Sequence, residues 1–204
     1  ILKELLKQKE RLTYLYDNGL SHVYISTRNS MYPDLKVPNI LRSRAGMKLF
    51  EIMQLVEMKC TSFLDICAGL GAMSDLILKS FDCTGVGVTI AQNDPCRDFY
   101  EDLKQIDRYK IASLDDGDIT RAEVISDVAA MCDAIYGKKC VDLVIADGAP
   151  SLDHTEENLQ EMYAQKIILC ELTLALEVVK RHGQVMLKIF DTFTKFSKSI
   201  VLLF

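Results

Sequence analysis

Short apolar runs alternate with amphipathic stretches along most of the chain. The apolar runs predict strands in SFLDICA, CTGVGVTI, KIAS, VDLVIAD and QVMLKIF. Helical spacing predicts five helices. Two of them are the segments MSDLILKS and PCRDFYEDLKQI, and the other three run from about Arg121 to Ile135, from about Glu156 to Lys180, and onward from near Thr194. Such alternation is typical of parallel strands joined by helical crossovers. We therefore predict an α/β fold, with an open, mostly parallel sheet and helices on both faces.

The first part of the chain has a different pattern. ILKELLKQKERLTYLY has helical spacing and ends at Asp17, Asn18 and Gly19, so it predicts a leading helix. The stretch from there to Pro38 holds two of the four prolines together with Asn and Ser, which predicts irregular structure. RSRAGMKLFEIMQLVEM then returns to helical spacing, with Lys48 in its first turns.

Composition narrows the class of protein. Hydrophobic residues make up 49% of the 204 residues and charged residues 26%, which is typical of a soluble domain with one sizeable core. The sequence contains no apolar run of about 18 residues and no apolar signal core. The seven cysteines are scattered without a C-x-x-C pair, so we expect an intracellular, reducing environment and no zinc site. The net charge of −5 argues mildly against a nucleic-acid partner, although local basic groups can override it.

The ligand site of an open α/β sheet lies beyond the carboxyl ends of its strands. The first strand ends in LDICAGLGAMS, where Gly69 and Gly71 allow close approach of a ligand but do not require one. A dinucleotide site would have Gly at position 74, which is Ser, so NAD is disfavoured. An acid such as Asp65 before a small-residue loop is typical of S-adenosylmethionine sites, although Asp65 could equally bond to loop amides.

Three further residues follow strands. In LDDGDIT, Asp118 either belongs to a solvated turn or contacts an adenosyl group, and the pattern leaves both open. Asp147 ends the fourth strand, and Lys188 lies among apolar residues of the fifth, either snorkelling at the sheet edge or paired. Adjacent strands lie about 4.8 Å apart, so Asp147 and Lys188 meet if strands four and five are neighbours. No histidine or nucleophile elbow supports a hydrolase.

A series of sequence blocks resembles a known family. LDICAGLGAMS, GVGVTI, DGDITR, VIADGAPS, ENLQE and MLKIFDTFTKFS resemble, in order and spacing, the RrmJ/FtsJ-type RNA ribose methyltransferases. DGDIT, ENLQE and FDTFT are most similar to the eukaryotic-type mRNA cap (nucleoside-2'-O-)-methyltransferases. The resemblance implies a Rossmann-like, S-adenosylmethionine-dependent methyltransferase domain over residues 42–204, preceded by a helix and irregular lead-in over residues 1–41.

The resemblance also implies site residues. The family uses a Lys-Asp-Lys-Glu tetrad, whose first three members match Lys48, Asp147 and Lys188. Asn158 in ENLQE matches a substrate-binding position. The positions that match cofactor-binding residues are Ser43, Cys67, Ala68, Gly69, Leu70, Gly71, Ala72, Met73, Asp118 and Ile119. The implied cofactor is S-adenosyl-L-methionine, the implied partner is the 5' end of capped mRNA, and the chemistry requires no metal or membrane.

The sequence departs from the family in two ways. Leu70 and Ala72 replace the usual Pro and second Gly of the cofactor loop. The tetrad glutamate is expected after the last helix, beyond Phe204, together with the last strands of the sheet. We therefore expect this chain to be part of a longer protein, cellular or viral, with a nuclear or cytoplasmic location.

The expected reaction is methyl transfer to the ribose 2'-hydroxyl of the first transcribed nucleotide of capped mRNA. Lys188 acts as a neutral base or orienting group, and Asp147 holds it in place. The alternatives are an rRNA or tRNA ribose methyltransferase, an inactive RNA-binding or partner-binding domain, and a small-molecule methyltransferase. The last is disfavoured because Lys48 and Lys188 suit an anionic RNA backbone.

Overall fold

The computed structural model describes residues 2–31, 41–90, 99–112, 116–152 and 159–203. Its helices are α1 Leu2–Asp17, α2 Ser21–Met31, α3 Arg44–Leu55, α4 Ala72–Ser80, α5 Glu101–Lys104, α6 Ala122–Tyr136, α7 Gln160–Tyr163, α8 Gln165–Val178 and α9 Lys195–Leu203. Its strands are β1 Ser62–Ile66, β2 Thr84–Val88, β3 Tyr109–Ile111, β4 Val141–Ala146 and β5 Val179–Leu187. In the described parts of the chain, no helix is both long enough and apolar enough to cross a membrane.

The chain divides into two compact units. The first comprises Ile1–Asn39, Pro150–Gln165 and Ile189–Phe204, and the second comprises Ile40–Ala149 and Lys166–Lys188. The sheet lies entirely in the second unit. The predicted domain ranges, 1–41 and 42–204, stay a prediction.

The sheet has the predicted parallel architecture. Its strand order is β3-β2-β1-β4-β5, and every neighbouring pair is parallel. The chain moves outward from β1 through β2 to β3 and then returns to place β4 on the other side of β1. Strand order therefore reverses between β1 and β4, where Ile66 and Ala146 are register partners. A ligand crevice is expected at this point of the edge.

Helices cover both faces of the sheet, as predicted. On one face, Leu64, Val86 and Val144 pack against buried residues of α6 and α8. On the other, Phe63, Leu143 and Ile145 pack against buried residues of α3, α4 and α5. Burial of β1 and β4 on both faces explains why their sequences are continuous apolar runs rather than alternating ones.

In the first unit, a buried carboxylate fixes the start of α9. The Glu161 carboxylate accepts hydrogen bonds from the Phe193 N–H at 3.2 Å and from the Thr194 N–H at 2.8 Å. Thr194 Oγ1 accepts the Ser197 N–H at 3.1 Å, which caps the helix. Negative charge at a helix N-terminus is favourable, so these contacts explain why the helix begins where the sequence predicts it.

Four predicted elements differ from the structure. The strand predicted as QVMLKIF is β5 Val179–Leu187, which begins earlier and ends before Lys188. The stretch predicted as irregular contains α2 Ser21–Met31, because its prolines lie after the helix, at positions 33 and 38. The helix predicted over about 156–180 is α7 and α8 from residue 160 onward, and it ends at Val178 because Val179 pairs with Val141 of β4. The helix predicted over 95–106 is α5, Glu101–Lys104, and residues 91–98 lie outside the described parts.

Asp65 is held by the protein interior. Its side chain is buried within β1, and the Ser74 hydroxyl donates a 2.6 Å hydrogen bond to its Oδ2. Ser74 Oγ also lies 2.8 Å from the Tyr109 hydroxyl. Burial raises the pKa of Asp65 to about 7, and the hydrogen bonds from Ser74 offset part of that effect. The partner of Asp65 is thus Ser74 of α4, whereas the sequence pattern suggests loop amides as its alternative partners.

This buried acid predicts a pH-dependent stability. Because the folded-state pKa of Asp65 is raised, its stabilising protonated form is lost as pH rises through about 7. Wild-type protein should lose about 2 kcal/mol of unfolding free energy from this group between pH 5 and pH 8. Asp65→Asn removes that loss, and urea unfolding at the two pH values measures it.

The exposed Asp107 provides the matched control, since Asp107→Asn makes the same chemical change at the surface. Equal pH dependence of stability in wild type and Asp65→Asn would contradict the assignment. Burial also raises the pKa of Glu171, but this carboxyl group is present in both proteins and does not affect the comparison.

Candidate active site

The ends of β1 and β4 form the centre of the candidate site. Cys67 directly follows β1, and Asp147 directly follows β4, at the edge where the strand order reverses. The loop after Cys67 is tied to the end of β2, because the Ala68 N–H donates to the Val88 carbonyl at 2.9 Å and the Gly69 N–H donates to Thr89 Oγ1 at 3.2 Å. The loop therefore lies over the carboxyl ends of β1 and β2.

Gly71 is required where this loop enters α4. Its φ of +85° lies in the left-handed region that other residues rarely adopt. A Cβ atom at this position would also lie 2.3 Å from Cδ2 of the buried Leu103. The sequence feature that looked like a ligand-binding glycine thus also has a packing function.

Asp147 lies between two lysines. Its Oδ1 atom is 2.6 Å from Lys188 Nζ, and its Oδ2 atom accepts a hydrogen bond from Lys48 Nζ at 3.4 Å. Lys188 Nζ also donates to the Asp147 backbone carbonyl at 2.8 Å. The predicted meeting of Asp147 and Lys188 is confirmed, because β4 and β5 are neighbours.

The two lysines differ in their contact with solvent. The Lys188 side chain is 23% exposed and the Lys48 side chain 54%, whereas the Asp147 side chain is 16% exposed. Lys188 lies one residue beyond β5 rather than within a strand, but its N–H donates to the Ala146 carbonyl at 2.8 Å, which continues the ladder. The inner lysine is therefore fixed by backbone and side-chain contacts, while the outer one is accessible to a ligand.

A cavity of about 170 Å³ lies beside Asp147. It includes Cys67, Asp118 and Ile119, three residues predicted to bind the cofactor, together with the predicted catalytic Asp147. The remaining lining residues are Thr89, Ile90, Thr120, Gly148, Ala149 and Ile167. Typical small-molecule pockets have about 300 Å³ or more, so this cavity suits one part of a nucleoside cofactor.

The chemistry of the lining fits the adenosyl part of S-adenosylmethionine. The isoleucines provide apolar contact for a purine, and the Asp118 carboxylate can accept hydrogen bonds from a nucleoside. Asp118 also shapes its own turn, because its Oδ1 accepts the Thr120 N–H at 2.9 Å. The neighbouring acid, Asp116, pairs with Arg121 at 2.8 Å, so the surface-turn interpretation suits Asp116.

The other predicted cofactor residues lie outside this cavity. Ser43 caps α3 by accepting the Ala45 N–H at 3.2 Å. The side chains of Ala72 and Met73 are buried at the start of α4. Of the described residues, Ala68, Gly69, Leu70 and Gly71 form the loop itself and do not line the cavity. Asn158, the predicted substrate contact, lies outside the described residues.

Sequence analysis missed Thr89 and Glu171. Thr89 holds the glycine loop through its hydroxyl. Glu171, in α8, is fully buried, and its Oε1 accepts the Gly148 N–H at 2.7 Å. Burial raises the pKa of Glu171 to about 7. The sequence could have indicated that Glu171 is buried, because Glu171 lies on the same helical stripe as the buried residues Ile168, Ala175 and Val178.

The acidic and thiol groups of the site do not form a recognisable metal centre. Within the described ranges, no group of three or more His, Cys, Asp or Glu side chains could hold a metal ion.

Several known proteins are similar to this chain in sequence. Residues 41–204 match the family described as FtsJ-like methyltransferase. The human cap-specific mRNA (nucleoside-2'-O-)-methyltransferase 1 is 36% identical over 154 residues, which cover 72% of this chain and 18% of the human protein. The protein of the same name from Trypanosoma brucei brucei is 28% identical over 211 residues, covering 92% of this chain and 55% of that protein.

A solved structure supports the fold. A ribosomal RNA methyltransferase from Plasmodium falciparum has a TM-score of 0.59 to this chain at 18% identity, covering 79% of this chain and 84% of the other. At that identity the likeness concerns the fold alone. The family match spans most of the chain, including β1 to β5 and the residues around Asp147. The chain therefore belongs to the FtsJ-like methyltransferase family.

Proposed function

We propose that this chain catalyses S-adenosylmethionine-dependent methyl transfer to the ribose 2'-hydroxyl of the first transcribed nucleotide of capped mRNA. The observation that carries the proposal is Asp147, held between Lys48 and Lys188 beside the cavity that contains Asp118. Support for the capped substrate comes from the two relatives named as cap-specific enzymes. The chain spans only 18% of the human relative, so the substrate belongs to the proposal.

The cofactor is held by the residues around the small cavity. Asp118 and Ile119 would hold the adenosyl group, and the loop from Cys67 to Gly71 would hold the rest of the cofactor. When bound, S-adenosylmethionine supplies an electrophilic methyl group on a positively charged sulfur. The chain's own residues orient the ribose and accept its proton.

Lys188 is the group that accepts the proton of the 2'-hydroxyl. An amine can accept a proton only when neutral, and a lysine in water is protonated at neutral pH, so the site must favour the neutral form. The bonds from Lys188 to the carboxylate and carbonyl of Asp147 fix the direction of the amine.

Lys48 suits the RNA backbone. More than half of its side chain is exposed, so it can reach a phosphate while it contacts Asp147. Lysine side chains position nucleic acids chiefly through phosphate contacts. We place the ribose of the substrate between the two lysines, on the open side of Asp147. The proposal includes a nuclear or cytoplasmic setting, where capped mRNA is present.

Loss of the proton acceptor should abolish catalysis without abolishing cofactor binding. In the full-length protein, Lys188→Ala should lower kcat for methyl transfer by about 10² to 10⁴, because general-base catalysis contributes on that scale. Calorimetry should show S-adenosylmethionine binding close to that of wild type. Lys110→Ala, at an exposed position on β3, is the matched control and should leave kcat unchanged. Intact methyl transfer in Lys188→Ala would contradict the assignment.

The cap dependence is tested by a pair of RNAs that differ only at the 5' end. With equal RNA sequence, the capped form should be methylated at least about tenfold faster than the 5'-triphosphate form, since a tenfold preference needs only 1.4 kcal/mol of differential binding. Radiolabelled methyl transfer measures both rates. Equal rates, or preferred transfer to rRNA or tRNA fragments, would replace the cap assignment with the alternative ribose methyltransferase activity.

A further inference from the structure

Glu171 is a buried acid that the proposed mechanism does not use. Its side chain is fully enclosed in the apolar stripe of α8. Its Oε1 atom accepts the Gly148 N–H at 2.7 Å, and Oε2 has no hydrogen-bond partner among the residues that the structure describes. Burying a carboxyl group with half of its bonding capacity unused is costly, so a purely apolar residue would stabilise the helix better.

The acid contacts the turn that carries Asp147. Gly148 follows Asp147 directly, and a Cβ atom at position 148 would lie 2.5 Å from Glu171 Oε1, 2.7 Å from Ile167 Cγ2 and 3.0 Å from Cys67 Sγ. Only glycine therefore lets the backbone come close enough to donate its N–H to the carboxyl group. Gly148 and Glu171 form one structural unit at the end of β4.

Three strand ends place ionisable groups near Glu171. Cys67 follows β1, Asp147 follows β4, and Lys188 follows β5; Cys170 neighbours Glu171 on α8 itself. Burial raises the pKa of Glu171 to about 7, and the charge of Asp147 also raises it. The Gly148 N–H, Lys188 and Cys67 act in the opposite direction and lower this pKa. Burial, together with Glu171, also raises the pKa of the Cys67 thiol. The thiol thus stays protonated beside the carboxyl group.

We propose that Glu171 is a positioning residue of the active site. Glu171 holds the Asp147–Gly148 turn through a hydrogen bond from the Gly148 N–H, and its charge interacts with that of Lys188. This inference rests on the proposed function, because it assigns the role through Lys188 and Asp147. Glu171 is not itself one of the residues that line the cavity, so it acts through Gly148 and Cys67, which do line it, and through Lys188 and Asp147. It also contacts Cys67, which links the Asp147 turn to the start of the cofactor loop.

The two parts of this role have different consequences. The hydrogen bond fixes the backbone after Asp147 and therefore the direction of its carboxylate. The charges of Glu171 and Lys188 also interact, because Lys188 lowers the pKa of Glu171. A neutral group at position 171 removes this interaction, so the kcat–pH profile should change.

Two variants separate the hydrogen bond from the charge. Glu171→Gln keeps an acceptor oxygen and the side-chain volume but never ionises. Its kcat at the high-pH plateau should stay within about threefold of wild type, and its kcat–pH profile should shift relative to that of wild type. Glu171→Leu removes the acceptor and leaves the Gly148 N–H unpaired, so kcat should fall about ten- to a hundredfold.

Glu177→Gln is the matched control, since it makes the same change on an exposed part of the same helix. It should leave both kcat and the pH profile unchanged. The measurements use capped RNA, the full-length protein and a temperature at which circular dichroism shows each variant to be folded. A purely structural acid would change the thermal midpoint and leave the pH profile in place.

The outcomes distinguish this inference from the proposed function. Absence of ribose methyl transfer in wild type overturns both. Methyl transfer in wild type, combined with an unchanged pH profile in Glu171→Gln, overturns the role of Glu171 alone. If Glu171→Leu does not fold, the profile of Glu171→Gln decides the question; if it folds and retains wild-type kcat, the positioning role is wrong.

Discussion

The ion pair between Asp147 and Lys188 depends on the parallel pairing of β4 with β5. Because the two strands run in the same direction, their carboxyl ends stop at the same edge, and the residues that follow them lie side by side. The same constraint brings Cys67 from β1 next to Asp147, since strand order reverses between β1 and β4. The site is therefore a direct consequence of strand order, and loops and helices add to an arrangement that the sheet already defines.

This arrangement brings three carboxyl groups close together at one edge of the sheet. Asp65 and Glu171 are both buried near Asp147, and the pKa of each is raised to about 7. Each of the three has a different partner: Ser74 for Asp65, the Gly148 N–H for Glu171, and the two lysines for Asp147. Because burial raises the pKa values of Asp65 and Glu171, both acids lower the stability of the fold as pH rises.

Much of the sheet could be predicted from sequence because its strands are short, apolar and separated by amphipathic helices. The site at the strand ends followed from the same pattern, and Asp147 and Lys188 meet as expected. The end of α8 could not be predicted, since Val179 continues a helical pattern but pairs with Val141 of β4. Pairing with a distant strand decides that boundary, and local spacing does not contain this information.

Glu171 illustrates a second limit of prediction from sequence. Its position on the apolar stripe of α8 was visible in the sequence, but its partner, the Gly148 N–H, lies 23 residues earlier in the chain. Likewise, Gly71 and Gly148 looked like ligand-binding or turn glycines, whereas their close contacts are with Leu103 and Glu171. Pattern identifies a residue with an unusual environment, and only the tertiary contacts show which group it contacts.

The central claim is that this edge of the sheet directs a methyl group to a ribose oxygen. The most direct test uses the full-length protein, radiolabelled S-adenosylmethionine and two capped RNAs that differ only in carrying a 2'-hydroxyl or a 2'-hydrogen on the first transcribed nucleotide. Methylation of the hydroxyl form alone, with the label recovered on that ribose after nuclease digestion, is the predicted result. Equal labelling of the 2'-deoxy form, with methyl groups on a base, would contradict the account.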